Sequence, residues 1–256
     1  MNKSRIYTII SLLLWLVIWF IGAFFIDNEL FLPKPLDVLR TLINLAGSFS
    51  FYKSILFTLR GISMGFLIGF GTGILLAVIS YVNSFFKSFI SIFIKGIKSI
   101  PVASFVILTL FWFAPSHLSI LISALIVMPV IYTNVLTGLN DTPKDMLEFA
   151  KVYRLKPMYK IFYIYIPSVM SPLISAATVS VGYAWKSGVA AEIIGLINGS
   201  VGNELYKAKL YLDTPQLFAW TISIIAVSFI CEKIINLILR CLQKFVGGNT
   251  NGNTDK

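Results

Sequence analysis

The chain has 256 residues, 57% of them hydrophobic and only 12% charged, with a mean hydropathy of +0.84; soluble domains carry roughly 25% charge, so a water-soluble fold is excluded. Its net charge of +10 lies in loops between apolar runs, which argues against a nucleic-acid surface. Cys231 and Cys241 fall on one predicted helix about 15 Å apart by helical rise, too far for a bridge, and no further Cys or His clustering points to a metal.

A hydrocarbon core about 30 Å thick takes about 20 residues of helix to cross. Charges and turn residues used as punctuation predict six spans, at 6–26, 57–80, 99–114, 118–139, 168–194 and 216–239. The expected fold class is therefore an all-α integral membrane protein with one transmembrane domain over residues 1–245 and a Gly/Asn/Thr-rich disordered tail over 246–256. The first run carries no charge and leaves through Phe24, Phe25, Ile26 and Asp27. It is longer than the roughly 7 to 15 apolar residues of a signal peptide, so it reads as a span. Leu32-Pro33-Lys34-Pro35-Leu36 is extended, and the mixed stretch to Ser54 is expected along the membrane surface.

In the second span Gly61, Gly65, Gly69 and Gly73 recur every fourth residue and form one stripe, the small-residue device that lets helices approach closely in lipid. Packing inside the subunit is the favoured reading of this stripe; a moving or dimer interface is the other. Residues 84–98 are apolar but carry Lys87, Lys95 and Lys98, which fits an interfacial helix or a lengthened third span equally. His117, after Pro115, reads as an ordinary solvated loop residue.

The loop Asp141–Pro167 is too polar to span and carries Lys144, Lys151, Arg154, Lys156 and Lys160. Such an excess marks the cytoplasmic side, which places both termini there as well. Two short helices are expected. Thr142 would cap the first, with Pro143 at its first position, Asp145 completing a capping box, and Met146, Ala150 and Tyr153 on one face. The second would start at Pro157 and stop at Pro167, with Met158, Ile161, Phe162 and Tyr165 together. An apolar-faced hairpin has to dock, either on its own bundle or on a soluble partner, and spacing does not choose.

In the fifth span Tyr183, Trp185, Lys186, Ser187 and Glu192 place polar groups where lipid is hostile, which makes them candidates for lining a substrate pathway. Lys186 and Glu192 lie roughly 120° apart around the helix, so no same-face pair is expected. The ordinary alternative is that both tie the helix to a neighbour or snorkel outward; Lys186 could instead attract an anion. No phosphate-cradling Gly-x-x-x-x-Gly-Lys-Ser/Thr motif and no catalytic Ser/His/Asp or Cys/His arrangement occurs, so a non-enzymatic membrane subunit without its own ATPase site is expected.

Glu148-Phe149-Ala150, with Ile166-Pro167 ending nineteen positions after Glu148, resembles the cytoplasmic loop of binding-protein-dependent ABC importer permeases. Leu32-Pro33-Lys34-Pro35, Ile100-Pro101-Val102-Ala103, Leu110-Phe111-Trp112-Phe113, Ala184-Trp185 and Ala191-Glu192 look like the nitrate, sulfonate and taurine subgroup, and the likeness runs over about residues 30 to 245. The resemblance implies the type I importer fold with six transmembrane helices. It also implies a homodimer enclosing the path, an extracytoplasmic binding protein that delivers a small anionic or aromatic solute, and cytoplasmic ABC ATPase subunits that hold ATP and Mg. No cofactor is expected in this chain. Glu148, Ala150 and Pro167 carry over position by position, and Phe149, Tyr153, Arg154 and Pro157 complete the implied ATPase-coupling hairpin. Phe149 stands where the family has alanine and Arg154 where it has glycine, so the bend is expected to be made differently here. The alternatives are an ion-coupled secondary transporter, disfavoured because no acidic mid-membrane residues or inverted repeats are evident, and a non-transporting scaffold.

Overall fold

A computed structural model describes residues 3–246; of the tail expected over 246–256, Val246 still belongs to the last helix and the rest lies outside the described residues. Among the described residues every regular element is helical: α1 Lys3–Ile26, α2 Pro35–Ala46, α3 Phe49–Val82, α4 Ser84–Ser99, α5 Val102–Thr109, α6 Leu118–Asn140, α7 Lys144–Val152, α8 Pro157–Lys160, α9 Ile166–Ile194, α10 Val201–Leu210 and α11 Thr214–Val246. Phe49–Val82, Pro115–Asn140, Pro157–Ile194 and Thr214–Gln243 are long and apolar enough to cross a bilayer, and α4 with α5 adds a bent fifth. Helix α1 covers the expected first span.

The expected span 99–114 is not one straight helix. Ile100 and Pro101 are extended, with ψ of 128° and 132°, and the chain turns by 103° between α4 and α5. The reason is local, because the proline ring crowds the residue before it out of the helical region. Helix α4 is separately capped, the Asn83 side chain accepting from the Phe86 amide at 3.1 Å. It buries Ile90, Ile94 and Ile97 along one side and leaves Lys87, Lys95 and Lys98 exposed. Lys98 Nζ donates to Thr133 Oγ1 on α6 at 2.9 Å.

The chain divides into two compact units. One gathers the described residues up to Thr58 with Leu196–Ala226. Within it Trp19 stacks on Phe218 at 5.6 Å and donates from Nε1 to the Pro33 carbonyl at 3.1 Å. Phe51 packs on Trp220 at 4.9 Å, and Thr58 Oγ1 accepts from the Val201 amide at 2.9 Å. Ser200 caps α10 by accepting from the Asn203 amide.

The other unit gathers Leu59–Gly195 with the described residues from Val227 on, and in it α3 from Leu59 on packs with α6 and α9. The glycine stripe on α3 lies against α6 of the same chain. A Cβ on Gly61 would stand 2.6 Å from Ser119 Oγ, one on Gly65 would meet the Ile120 carbonyl oxygen, one on Gly69 would stand 2.5 Å from the Ala124 carbonyl oxygen, and one on Gly73 2.8 Å from Ile131 Cβ. These glycines therefore serve packing within the chain, the first of the two readings the spacing offered. Helix α9 closes on the same pair: Ser123 Oγ donates to the Ala184 carbonyl at 3.1 Å, and a Cβ on Gly188 would stand 2.6 Å from Ile62 Cγ1. Thr178 Oγ1 of α9 bonds Asn236 Oδ1 of α11.

Candidate functional site

The loop after α6 does fold as two short helices, but its ends are made otherwise than the residue types suggest. Thr142 does not cap α7. Its hydroxyl turns back to the Gly138 carbonyl at 3.4 Å, Pro143 occupies the cap position with no side-chain bond, and the helix starts at Lys144. A buried threonine at the end of α6 takes the nearest free carbonyl, so the capping box with Asp145 is not formed.

Helix α7 ends in a turn closed by three backbone bonds, from Tyr153 N to Phe149 O at 3.0 Å, Arg154 N to Lys151 O at 3.2 Å and Leu155 N to Ala150 O at 3.0 Å. This is a Schellman closure, which needs a left-handed residue just past the helix. That residue is Arg154, at φ +48°. The expectation of a different bend is thus corrected: the turn has the form a glycine would give, and the arginine adopts it at a cost of about 1–2 kcal/mol. Arg154→Gly is accordingly expected to stabilise the hairpin by about 1 kcal/mol, read as slower amide exchange across 150–157, with transport retained. Faster exchange in that segment would show that the arginine side chain holds the turn.

Pro157 opens α8 as expected, but the helix does not stop at Pro167. The run continues from Pro157 to Ile194 through a π-turn over Ile161–Tyr165, in which the Ile166 amide bonds back to the Ile161 carbonyl. Pro167 has no N–H to donate and would clash with a carbonyl four residues back in an α-helix; widening the preceding turn accommodates both. Tyr165 at the end of this turn packs edge-on against Tyr81 of α3 at 5.7 Å. Nothing in the spacing of the loop announced this contact.

Of the hairpin residues, Ala150 is completely buried, whereas Glu148, Phe149, Tyr153, Arg154, Pro157 and Pro167 are exposed. Met146 and Tyr153 do not share the burial of Ala150, so the face expected on α7 is reduced to that one alanine. Phe149 and Tyr153, one turn apart, pack on each other with ring centres 4.4 Å apart and planes tilted by 36°, and stand outward as an aromatic knob. The phenylalanine that departs from the family pattern therefore leaves the packed side of the hairpin undisturbed. Glu148 beside the knob takes part in no ion pair among the described residues, although lysines surround it in sequence. An exposed carboxylate beside two exposed rings is suited to a groove on another protein.

On α9 the five candidate residues separate into two sets. Trp185, Ser187 and Glu192 are buried, Glu192 completely, and Ser187 donates to the Tyr183 carbonyl at 2.8 Å. Tyr183 and Lys186, three apart, share the exposed side. The structure therefore does not bring all five together as one lining, and Lys186 and Glu192 are not a same-face pair.

Residues 69–247 match the family of binding-protein-dependent transport system inner membrane components. A protein named as the aliphatic sulfonates transport permease SsuC of Bacillus subtilis (strain 168) is 23% identical over 95% of this chain and 87% of that protein. The taurine transport system permease protein TauC of Escherichia coli (strain K12) is 23% identical over 88% of this chain and 82% of its own length. The nitrate import permease protein NrtB of Synechococcus elongatus (strain PCC 7942) is 26% identical over 60% of this chain and 55% of its own. In fold, the chain resembles a chain of the MetNI methionine ABC transporter in inward facing conformations, with a TM-score of 0.52 and 19% identity, covering 74% of this chain and 93% of that one.

Proposed function

Because this chain belongs to the family of binding-protein-dependent transport system inner membrane components and is a multi-pass permease subunit of an ABC importer, we propose how its parts divide the work. The hairpin 144–165 is the handle gripped by a cytoplasmic ATPase subunit, which binds the ATP and Mg that this chain does not. Both termini lie on that same side. A second copy of the chain closes the path, an extracytoplasmic binding protein delivers a small solute, and closure of the ATPases alternates access to the cavity between the copies. The chain performs no covalent chemistry of its own. Anionic and aromatic solutes are the candidates, and the sulfonates, taurine and nitrate in the relatives' names favour the anionic.

The observation that carries this reading is the hairpin itself: Ala150 buried at its base, Phe149 and Tyr153 paired with each other and exposed, and Glu148 exposed and in no ion pair among the described residues. The π-turn joins it to α9 without a break, so a pull on the handle reaches the membrane helix as a rigid displacement. Reconstituted into liposomes with its binding protein and ATPase, the chain is expected to give solute uptake that requires ATP hydrolysis. Ion-driven uptake by the chain alone would make it a secondary transporter instead.

A further inference from the structure

The exposed side of α9 is not a plain lipid-facing surface. Ser171, Ser175, Val179, Tyr183 and Lys186 follow at helical spacing on one side and are all exposed, while Ala177, Ser180, Ala184, Gly188 and Ala191 on the opposite side are buried. Beside this stripe Gly182 faces open space, with no atom within 4 Å of the place a Cβ would take. The stripe thus carries two hydroxyls, a phenol and an ammonium over about 23 Å of helix.

Lys186 lies eight residues, about 12 Å, before Ile194 ends the helix. A lysine turned to hydrocarbon at that depth is costly, and such residues face a bundle interior or a water-filled cavity. No carboxylate neutralises it, since the ion pairs among the described residues are Arg40 with Asp37 and Lys207 with Glu204. Within α9 the only acid is Glu192, buried on another side. A positive charge with a phenol one turn away attracts and orients an anion, and repels a cation.

We propose that the Ser175–Val179–Tyr183–Lys186 stripe of α9 lines the path and that Lys186 is a specificity-determining residue, selecting anionic solutes with Tyr183 as the neutral donor beside it. This rests on the path running along the exposed side of α9, and the test separates the two claims. In the assembled transporter in membranes, with Cys231→Ala and Cys241→Ser as background, Val179→Cys reports from the stripe, seven residues and about 10 Å from Lys186. Two thiol reagents of equal chemistry are compared, an anionic sulfonatoethyl methanethiosulfonate and its cationic trimethylammonium analogue. Both are expected to react, and Lys186→Gln is expected to lower the anionic-to-cationic rate ratio about tenfold, while Lys186→Arg preserves it. Ala177→Cys, on the buried side, is expected not to react. If neither reagent reaches Val179→Cys while the exposed position 241, left as cysteine, reacts, the stripe is dry and the path lies elsewhere. If both react and the ratio is the same with Lys186→Gln, the path stands and selection by Lys186 is overturned. Should Lys186→Gln lower the yield, Lys186→Met carries the same comparison.

Discussion

Gly65→Ala is expected to destabilise the protein by about 3 kcal/mol, and Gly65→Val to remove it from the membrane fraction. The methyl group would run into the Ile120 carbonyl oxygen and stand 2.8 Å from Ser123 Cβ. A backbone carbonyl inside a helix cannot swing aside as a side-chain end can, so α3 and α6 would have to separate. In lipid no hydrophobic drive pulls them back, because their association depends on close van der Waals contact. Gly71 is the internal control, with nothing within 4 Å of its Cβ position. Gly71→Ala is expected to unfold at or slightly above the wild-type temperature, since alanine is the better helix former by about 1 kcal/mol. Thermal unfolding in detergent measures both; a Gly65→Ala midpoint within a degree of wild type would contradict the close packing of α3 on α6.

The stripe was legible because its signal is periodic and lipid does not obscure it: small residues at every fourth position mean close approach whatever surrounds them. What escaped was decided by a neighbour or by backbone geometry. Thr142 is a good cap by type, yet the Gly138 carbonyl of the preceding helix claims its hydroxyl. Pro167 is a helix breaker by type, yet one π-turn absorbs it. Arg154 gives no warning of a left-handed conformation, which three closing backbone bonds impose on whichever residue stands there. The division of α9 was hidden for a different reason. In a soluble helix a polar face means water, whereas here the buried side holds Ser180, Ser187 and Glu192 and the exposed side holds Val179 with Lys186. Helical spacing alone would have put Tyr183 with Lys186 and set Glu192 apart, but it does not say which side is covered.

The second large effect concerns the hairpin. Glu148→Arg is expected to leave the protein in the membrane at normal yield, because the side chain is exposed and makes no ion pair among the described residues. Transport, however, is expected to be abolished. Reversing one charge at a docking surface replaces an attraction with a repulsion among lysines already there, and breaking a buried interfacial charge contact costs about 2–5 kcal/mol, a loss of thirtyfold or more in affinity. The ATPase is then expected to be lost on purification. Unchanged uptake by Glu148→Arg would take the hairpin out of the mechanism.

The most direct measurement is where the aromatic knob docks. With Tyr153→Cys carrying a short photo-reactive cross-linker in the assembled transporter, the adduct is expected on the nucleotide-hydrolysing subunit, and it is expected to vanish with Glu148→Arg. A cross-link confined to the chain's own helices, or labelling of the Tyr153→Cys variant by an impermeant reagent added outside intact cells, would contradict the account.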